Sequence, residues 1–338
     1  MIQLLKQGLF PVLLAALWLA GCHSFDKANN KDSSNILDTP PLAAITDSIR
    51  QFPKDAALYF RRAELLSRNN FHELAYADYK KSWELDPVER TALRYASNLS
   101  IIGKSAEAVK LLEDCVGKFP ASLVFKRLLG EAYADSGRSP QALDLYDNTL
   151  RKDPLDFEAW YEKGLLLEQV KDTAGAIDAL KKAYTLQPVS AYGLELAHLY
   201  AERKNPISLK ICDDVIGRDS SREMVDPFFI KGIYYSNTGH YAEAIDQFDS
   251  CMRRDWKFTD AYIEKGIAFF KQKNYDEALH TFHMAATVSN TFPDAYYWIG
   301  RCYEAIHKKD EAIINYKRAI ALDRKFTEAK DALKRVSP

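Results

Sequence analysis

The tripeptide Gly103-Lys104-Ser105 is the segment of the sequence that comes nearest to a phosphate-binding loop. Such a loop carries a further glycine five residues earlier, because its backbone amides must surround the phosphates where a strand turns into a helix. Asn98 occupies that earlier position, and the segment lies between two stretches of helical periodicity. We therefore interpret Gly103 as a turn residue between two helices and predict no nucleotide site.

Two histidines, His280 and His283, are close enough in sequence to share one helix face and could together bind a metal ion. No third ligand follows at a spacing typical of zinc sites, and we expect both side chains on a solvated face. The chain also lacks the HExxH and GxSxG motifs and any paired-carboxylate motif. The sequence therefore predicts no metal, no cofactor and no enzymatic activity.

Cysteine chemistry is the remaining candidate, and the five cysteines fall into two groups. Cys22 follows an apolar N-terminal run and is treated separately below. The other four lie in four different helical segments, where a small buried residue is expected. We predict that they are packing residues without disulfides: Cys115, Cys212, Cys251 and Cys302.

The N-terminus predicts export and lipidation. Lys6 precedes an apolar run of 12 residues, 9–20, which is too short to span a bilayer and is typical of a secretion signal. The run ends in Leu19-Ala20-Gly21-Cys22, which resembles the lipobox of bacterial lipoproteins. The resemblance implies that signal peptidase II removes residues 1–21 and that Cys22 carries a diacylglycerol and an acyl chain such as palmitate. An ordinary secretory signal with a chance cysteine is the alternative.

Residues 22–41 are predicted to be a flexible tether. They are rich in Asn, Asp and Ser and end in Pro40-Pro41. His23 follows the cysteine, where an Asp favours retention in the inner membrane of enterobacteria. We therefore predict a protein of the bacterial cell envelope, lipid-anchored to the outer membrane and facing the periplasm.

Composition excludes several other classes. Apolar residues make up 47% of the chain, which is too much for a disordered protein, and the 14 glycines and 13 prolines are too few for an all-β protein. A formal net charge of -1, with basic and acidic side chains interleaved, argues against a nucleic-acid partner.

Regular spacing of prolines, alanines and glycines indicates a repeated unit of about 34 residues. The first prolines of this series are Pro53, Pro87, Pro120, Pro154 and Pro188, separated by 34, 33, 34 and 34 residues. The glycines that keep the same period are Gly130 and Gly164, then Gly232, Gly266 and Gly300. A small unit copied many times therefore accounts for most of the chain.

The clearest copy, residues 157–190, resembles the tetratricopeptide repeat. The matching residues are Trp160, Gly164, Leu167, Ala176, Leu180, Ala183 and Pro188, at repeat positions 4, 8, 11, 20, 24, 27 and 32. The resemblance implies an all-α fold, a right-handed α-α superhelix of two-helix units, in which Gly164 faces Ala176 so that the two helices approach closely. Pro188 ends the second helix because it has no amide hydrogen to donate.

This register divides the chain into a signal peptide (1–21), a tether (22–41), an N-terminal flanking helix (42–55), eight repeats and a C-terminal capping helix (327–338). The eight repeats are 56–88, 89–122, 123–156, 157–190, 191–224, 225–258, 259–292 and 293–326. In the fifth repeat the pattern is shifted by one or two residues, and a longer connection around Asp219 restores the count.

The resemblance also implies a groove lined by the first helix of each repeat, at positions 2, 5, 9, 12 and 13. In the C-terminal half these positions form an apolar stripe with a charged edge, which we predict to bind a peptide or a helix of another protein. The apolar residues are Phe229, Ile233, Ile263, Ile267, Phe270 and Tyr297, and the charged ones are Asp226, Asp260, Asp294, Arg301 and Glu304. The alternatives are that the next first helix covers some of them, or that the array pairs with itself.

The first two repeats lack the residues with which some repeat proteins of this kind bind cytosolic chaperones. Repeats that hold acidic C-termini of cytosolic chaperones have Lys and Asn at positions where this chain has Phe60 and Glu64, followed by Leu93 and Ser97. We therefore predict a membrane-anchored, non-enzymatic adaptor for other envelope proteins, with self-association as an option. The alternative is a permanent structural subunit of a secretion, assembly or surface machine.

Overall fold

The computed structural model describes residues 36–337. The predicted signal peptide, Cys22 and the tether up to residue 35 lie outside the described residues. Between Leu42 and Val336 the chain forms eighteen helices, and no strand occurs within the described part. None of the described helices combines the length and apolar composition needed to cross a bilayer.

The helices follow one another with short connections. In chain order they are α1 (Leu42–Gln51), α2 (Ala56–Arg68), α3 (His72–Leu85), α4 (Glu89–Ile101), α5 (Ser105–Lys118), α6 (Leu123–Asp135), α7 (Ser139–Lys152), α8 (Phe157–Gln169), α9 (Thr173–Leu186), α10 (Ser190–Glu202), α11 (Ile207–Arg218), α12 (Asp226–Thr238), α13 (Tyr241–Arg254), α14 (Thr259–Lys271), α15 (Tyr275–Val288), α16 (Pro293–Ala305), α17 (Lys309–Leu322) and α18 (Thr327–Val336).

From α2 to α17 the helices form hairpins with a nearly constant length. The first helix of each hairpin has 13 residues. The second helix has 14 residues, except α11 in the irregular fifth repeat, which has 12. Polar side chains cap several starts, as where the Asp156 carboxylate accepts a hydrogen bond of 2.9 Å from the amide of Ala159.

The turn inside each hairpin needs one residue in the left-handed region. Gly103, Gly137 and Gly239 supply it with φ of 70°, 74° and 84°, so the interpretation of Gly103 as a turn residue is confirmed. The amide of Lys104 donates back across the turn to the carbonyl of Leu99 at 2.9 Å, which satisfies a free carbonyl at the helix end. The other hairpins use a non-glycine residue there, such as Lys273 with φ 61°.

The helices group into two compact units. Unit 1 ends at Leu186 and contains α1–α9, and unit 2 begins at Gln187 and contains α10–α18. Within each unit the two helices of a hairpin pack together, and the second helix packs against the first helix of the next hairpin. In unit 2 the first helices are also in contact, because α12 packs against α10 and α14, and α14 packs against α16.

In five of the eight hairpins the core is built on a glycine at repeat position 8. The missing side chain leaves room for a large residue of the second helix, at position 24, to lie directly on the first helix. These pairs are Gly130 with Tyr146, Gly164 with Leu180, Gly232 with Phe248, Gly266 with Phe282 and Gly300 with Tyr316. The expectation that Gly164 faces Ala176 is therefore wrong: a Cβ on Gly164 would lie 2.7 Å from Cγ of Leu180, one turn further along the second helix.

The Gly266→Ala substitution tests this packing. The new Cβ would collide with the ring of Phe282, which is fully buried, so the variant is expected to lose about 1–3 kcal/mol of stability through overpacking. Thermal unfolding followed by circular dichroism measures the change. A Phe282→Leu substitution in the same variant is expected to recover part of the loss.

Gly217→Ala is the matched control, because Gly217 also lies in a helix of unit 2 but a Cβ there meets no atom within 4 Å. This variant is expected to gain about 0.5–1 kcal/mol, since alanine favours the helix. Equal changes in melting temperature for the two variants would contradict the packing argument.

Candidate functional site

The predicted groove residues lie on α12, α14 and α16, the first helices of three consecutive hairpins in unit 2. Their repeat positions recur every 34 residues, so equivalent side chains stand at the same level of neighbouring helices. Asp226, Asp260 and Asp294 all hold position 2 in this way. The structure separates the predicted residues into a buried group, an aromatic group and an acidic group.

Four of the predicted apolar residues are buried and do not form an exposed stripe. Phe229, Ile233, Ile263 and Ile267 expose only 3% to 8% of their surface. The ring of Phe229, for example, lies 5.2 Å from that of Phe258. Contact between successive first helices covers positions 5 and 9, so that part of the groove prediction is wrong. Phe60 and Tyr161, at position 5 of earlier repeats, are buried as well.

Phe270 and Tyr297 remain partly exposed and form an aromatic cluster with the buried Trp298. The ring of Trp298 lies 5.5 Å from each of the other two rings. The Arg301 guanidinium lies 5.5–5.8 Å from all three ring centres and donates a 3.0 Å hydrogen bond to the hydroxyl of Tyr297. Stacking against three rings holds this cation in place.

Glu304 has a structural partner and is not a free groove residue. The Arg335 guanidinium on α18 donates two hydrogen bonds to its carboxylate, at 2.7 and 2.8 Å, and the Tyr316 hydroxyl donates a third at 2.6 Å. The bidentate pair with Arg335 lowers the pKa of Glu304. Glu304 therefore ties α18 to the last hairpin.

The acidic residues make up the rest of the site, which we call the acidic face: Asp226, Asp260, Glu264 and Asp294. Protein atoms around them raise the pKa of all four by removing water from the charged form. The pKa of Asp260 is raised in this way although its side chain is exposed. Sequence reasoning missed Glu264, whose spacing of one helical turn from Asp260 was the available signal.

Asp294 and Glu264 are the most perturbed members of the acidic face. Burial, and then repulsion from Asp260, raise the pKa of Asp294 to about 7. Burial also raises the pKa of Glu264 to about 7, against the opposing attraction of Lys271. The Oδ1 atom of Asp294 is buried and accepts no hydrogen bond from any described residue, and the indole Nε1 of Trp298, one turn further on, likewise donates none.

Two acidic residues of unit 2 outside this face form ion pairs with lysines. Lys231 bridges to Asp213 and Lys265 to Asp249, both at 2.7 Å, and each bridge joins the second helix of one hairpin to the first helix of the next. Among the described residues no ion pair within 4.0 Å involves a member of the acidic face. The ion pairs of unit 2 therefore involve carboxylates outside the acidic face.

Unit 1 has a related group on α6 and α8. Burial raises the pKa of Glu162 to about 7, and it also raises the pKa values of Glu131 and Asp135. Arg127 lies on the same surface but pairs with Asp156 and Glu158. The first helices of both units thus present carboxylates in recessed positions.

The residues considered for other chemistry have ordinary roles. Cys115, Cys212, Cys251 and Cys302 are buried and free, as predicted, and burial raises their thiol pKa values. His280 and His283 are exposed on α15. Within residues 36–337, histidine, cysteine and carboxylate side chains form no group of three or more that could hold a metal ion.

The Asp294→Asn substitution tests the state of the buried carboxylate. Because folding raises the pKa of Asp294 from 3.8 to about 7, the wild-type protein loses stability as the pH rises between about 4 and about 7. Asp260, Asp323 and Glu328, the acidic groups that face it, add to that loss. The variant is expected to melt several degrees above wild type at pH 8 and at nearly the same temperature at pH 4.

The control for this measurement is Asp249→Asn, which removes a paired carboxylate. It is expected to lower the melting temperature slightly at pH 8, because a partly exposed ion pair contributes about 0–1 kcal/mol. If the melting temperature of Asp294→Asn relative to wild type is the same at both pH values, the raised pKa is wrong.

Comparison with known proteins identifies the repeat. One tetratricopeptide repeat model matches residues 127–191 and 231–287, and a second matches 293–326. No curated protein sequence matches the chain.

The fold is similar to that of several solved structures. A tetratricopeptide repeat protein from Parabacteroides merdae ATCC 43184 has 17% identity, covers 73% of this chain and 98% of its own, and gives a TM-score of 0.62. PilW, a type IV pilus biogenesis factor, has 16% identity, covers 62% of this chain and 98% of its own, and gives a TM-score of 0.54. A chain of the APC/C hetero-tetramer Cut9-Hcn1 has 18% identity, covers 89% of this chain and 61% of its own, and gives a TM-score of 0.55.

At these identities the similarity defines the fold, and that fold generally provides extended surfaces for binding peptides or other proteins without catalysis. The prediction of an all-helical repeat fold is confirmed. The chain therefore carries tetratricopeptide repeats and folds as a tetratricopeptide array.

Proposed function

We propose that the protein is a lipid-anchored, non-enzymatic adaptor of the bacterial cell envelope, which binds peptide or helical segments of other envelope proteins on the acidic face of unit 2. The fold supports the binding role, because tetratricopeptide arrays present their first helices to partners. The absence of a nucleophile, metal or cofactor motif in the sequence agrees with an adaptor.

One observation carries this proposal: the carboxylates of the acidic face are partly removed from water and form no ion pair among the described residues, whereas Asp213 and Asp249 of the same unit each pair with a lysine. A desolvated carboxylate without a partner reduces stability, so a sequence under selection for stability alone would pair or replace it. Such local costs are typical of functional sites, where binding restores the missing interaction.

Membrane attachment rests on the sequence around Cys22. Two or more acyl chains on Cys22 would hold the protein on a bilayer stably, and His23 favours the outer membrane, with the array facing the periplasm. A coil of residues 23–41 has a typical end-to-end distance of roughly 25 Å, so the array would be able to reach partners beyond the lipid headgroups.

The Cys22→Ala variant tests the anchor. Without the thiol the expected product is an unprocessed precursor that incorporates no radiolabelled palmitate, and the wild type is expected to incorporate the label and to sediment with outer membranes. Cys115→Ala, which alters a buried cysteine, is the control and is expected to behave like wild type. Labelling of the Cys22→Ala protein would contradict the lipoprotein assignment.

Site-specific photo-crosslinking tests the binding surface. A benzoylphenylalanine replacing Asp260, on the acidic face, is expected to give adducts with another protein in intact cells. The same residue replacing Asp246, which is exposed on α13, is the control and is expected to give none. An adduct of twice the chain mass would instead indicate self-association, and identical adducts from both positions would contradict a specific face.

An adaptor and a permanent subunit differ in how readily the bound protein exchanges with free protein. Addition of purified unlabelled protein to a detergent extract is expected to displace a labelled adaptor from its partners within minutes. A complex that does not exchange and survives high salt would favour the subunit alternative.

A further inference from the structure

The basic residues of the first two hairpins differ in type between first and second helices. On α2 and α4, the first helices, all five are arginines, whereas on α3 and α5, the second helices, all four are lysines. A guanidinium group presents several N–H groups in one plane and binds a carboxylate through two of them, whereas an ammonium group acts as a point charge. The first helices therefore carry the cation that is better suited to recognising a carboxylate.

Four of these arginines lie on one exposed surface, which we call the arginine face: Arg61, Arg68, Arg90 and Arg94. The guanidinium of Arg90 lies 4.2 Å from the ring centre of Phe60 on α2. Nε of Arg94 lies 3.8 Å from Oε1 of Glu64, which is also on α2. These two contacts place the arginines of α4 beside α2.

The arginines of α2 lie on either side of Glu64. Arg61 precedes Glu64 by three residues and Arg68 follows it by four, so the three side chains share one face of the helix. Burial chiefly raises the pKa of the Tyr79 hydroxyl, and the charges of Arg94 and Arg68 oppose that rise. This agrees with the contacts above, which place the arginines of both helices on the same side of the hairpin.

Most of the arginine face has no partner within the described chain. No carboxylate of residues 36–337 lies within 4.0 Å of the guanidinium of Arg61, Arg68 or Arg90. Arg94 pairs with Glu64 alone, and both of these side chains are partly open to solvent. Most of the positive charge on this surface is therefore uncompensated by the protein itself.

Other basic residues of the same two hairpins are paired. Arg62 donates two hydrogen bonds to the carboxylate of Asp78, at 2.6 and 2.8 Å. Three of the four lysines on the second helices form ion pairs, which are Lys80 with Glu107, Lys81 with Glu84 and Lys118 with Asp114. The unpaired positive charge is thus concentrated on the exposed side of the first helices.

Apolar side chains are exposed between the arginines along α4. Leu93 exposes 37% of its surface and Ile101 exposes 54%. Together with the exposed Arg90, Arg94 and Ser97 they recur at spacings of three or four residues, so they form one stripe along the helix. A segment that covers this stripe would meet cations and apolar side chains in alternation.

These features favour an acidic amphipathic segment of a protein over a lipid surface. Carboxylates of such a segment would pair with the arginines, and its apolar side chains would cover Leu93 and Ile101. Glu64 lies between Arg61 and Arg68, where it would repel the phosphates of a continuous anionic lipid surface. A segment of a protein is able to place its carboxylates on either side of Glu64.

We propose that the arginine face is a second binding surface of this protein, which binds an acidic amphipathic segment of a partner through carboxylates paired with Arg61, Arg68 and Arg90. These arginines hold repeat positions 6, 13 and 2, and not positions 5 and 9, where chaperone-binding repeats carry Lys and Asn. The surface lies in unit 1 and is separate from the acidic face of unit 2, so the two faces would select segments of opposite charge.

Selection from a random library of displayed peptides of about 15 residues, long enough to form a short helix, tests this proposal. The bait is the mature lipidated chain in detergent micelles. We expect one class of enriched peptides to share two or more acidic residues next to an apolar residue. Enrichment of basic peptides alone would overturn this proposal and leave the function of the acidic face standing, and enrichment of none would overturn it as well.

Two triple variants with the same change in net charge separate the site from general electrostatics. The test variant combines Arg61→Gln, Arg68→Gln and Arg90→Gln, and the control combines Lys81→Gln, Lys110→Gln and Lys118→Gln on the second helices. The test variant is expected to weaken binding of a selected acidic peptide at least about tenfold, and the control less than about threefold, as measured by fluorescence anisotropy. Equal effects would overturn the proposal.

A third variant tests the role of the guanidinium group. Substitution of the same three arginines by lysine keeps the charge but removes the planar pair of donors, and it is expected to weaken binding at least about threefold. Binding as tight as that of wild type would overturn the pairing with arginine. All the substituted side chains are exposed, so each variant is expected to melt within a few degrees of wild type, and loss of binding would then report on the surface.

Replacement of the shared acidic residues in the peptide completes the cycle. Gln in place of Glu, or Asn in place of Asp, is expected to weaken binding to the wild-type chain by about the same factor as the triple Gln variant. The altered peptide is expected to show no further loss with that variant, because the two changes remove one set of interactions. Additive losses would show that the carboxylates bind elsewhere and would overturn the assignment.

Competition with a soluble anionic lipid distinguishes the partner from a membrane. Dihexanoyl phosphatidylglycerol, added as monomers to the complex of the wild-type chain with a labelled acidic peptide, is expected to leave the peptide bound at concentrations at which the unlabelled peptide displaces it. Displacement by the lipid as effective as that by the peptide would identify lipid headgroups as the occupant and would overturn the proposal.

Discussion

Five of the eight hairpins depend on a large side chain of the second helix that lies on the bare backbone of a glycine in the first helix. Gly266 beneath Phe282 is the clearest example, because a single added carbon would collide with a fully buried ring. Interiors at this packing density transmit such strain, so the pair sets the distance between the helices.

Close packing of the hairpins also determines which charges are paired. The Lys231–Asp213 and Lys265–Asp249 bridges recur where a second helix meets the next first helix, so they strengthen the contact between repeats. Glu304 serves the same purpose at the end of the array, where Arg335 of α18 binds it. The carboxylates of the acidic face take no part in these contacts, and burial raises the pKa of Glu264 and of Asp294.

Much of the fold was predictable from residue types and spacing. Small residues, prolines and turn glycines must recur at fixed positions if the same hairpin is to be copied, and Gly103 with φ 70° is such a position. The candidate site was predictable only in part. Asp260 and Asp294 lie where expected, but Phe229 and Ile263 are buried, because whether position 5 is covered depends on how closely successive first helices approach.

The sequence by itself determined the repeat period, the two-helix unit, the turn residues and the unbridged cysteines, because each of these depends on contacts within a hairpin or between neighbouring hairpins that every copy must make. Only the tertiary structure decided that Gly164 faces Leu180, that Glu304 is bound by Arg335, and that Oδ1 of Asp294 and Nε1 of Trp298 are buried without hydrogen bonds. These properties depend on the distance between helices and on which side chains remain unpaired after packing, and neither quantity is encoded in the spacing of residues.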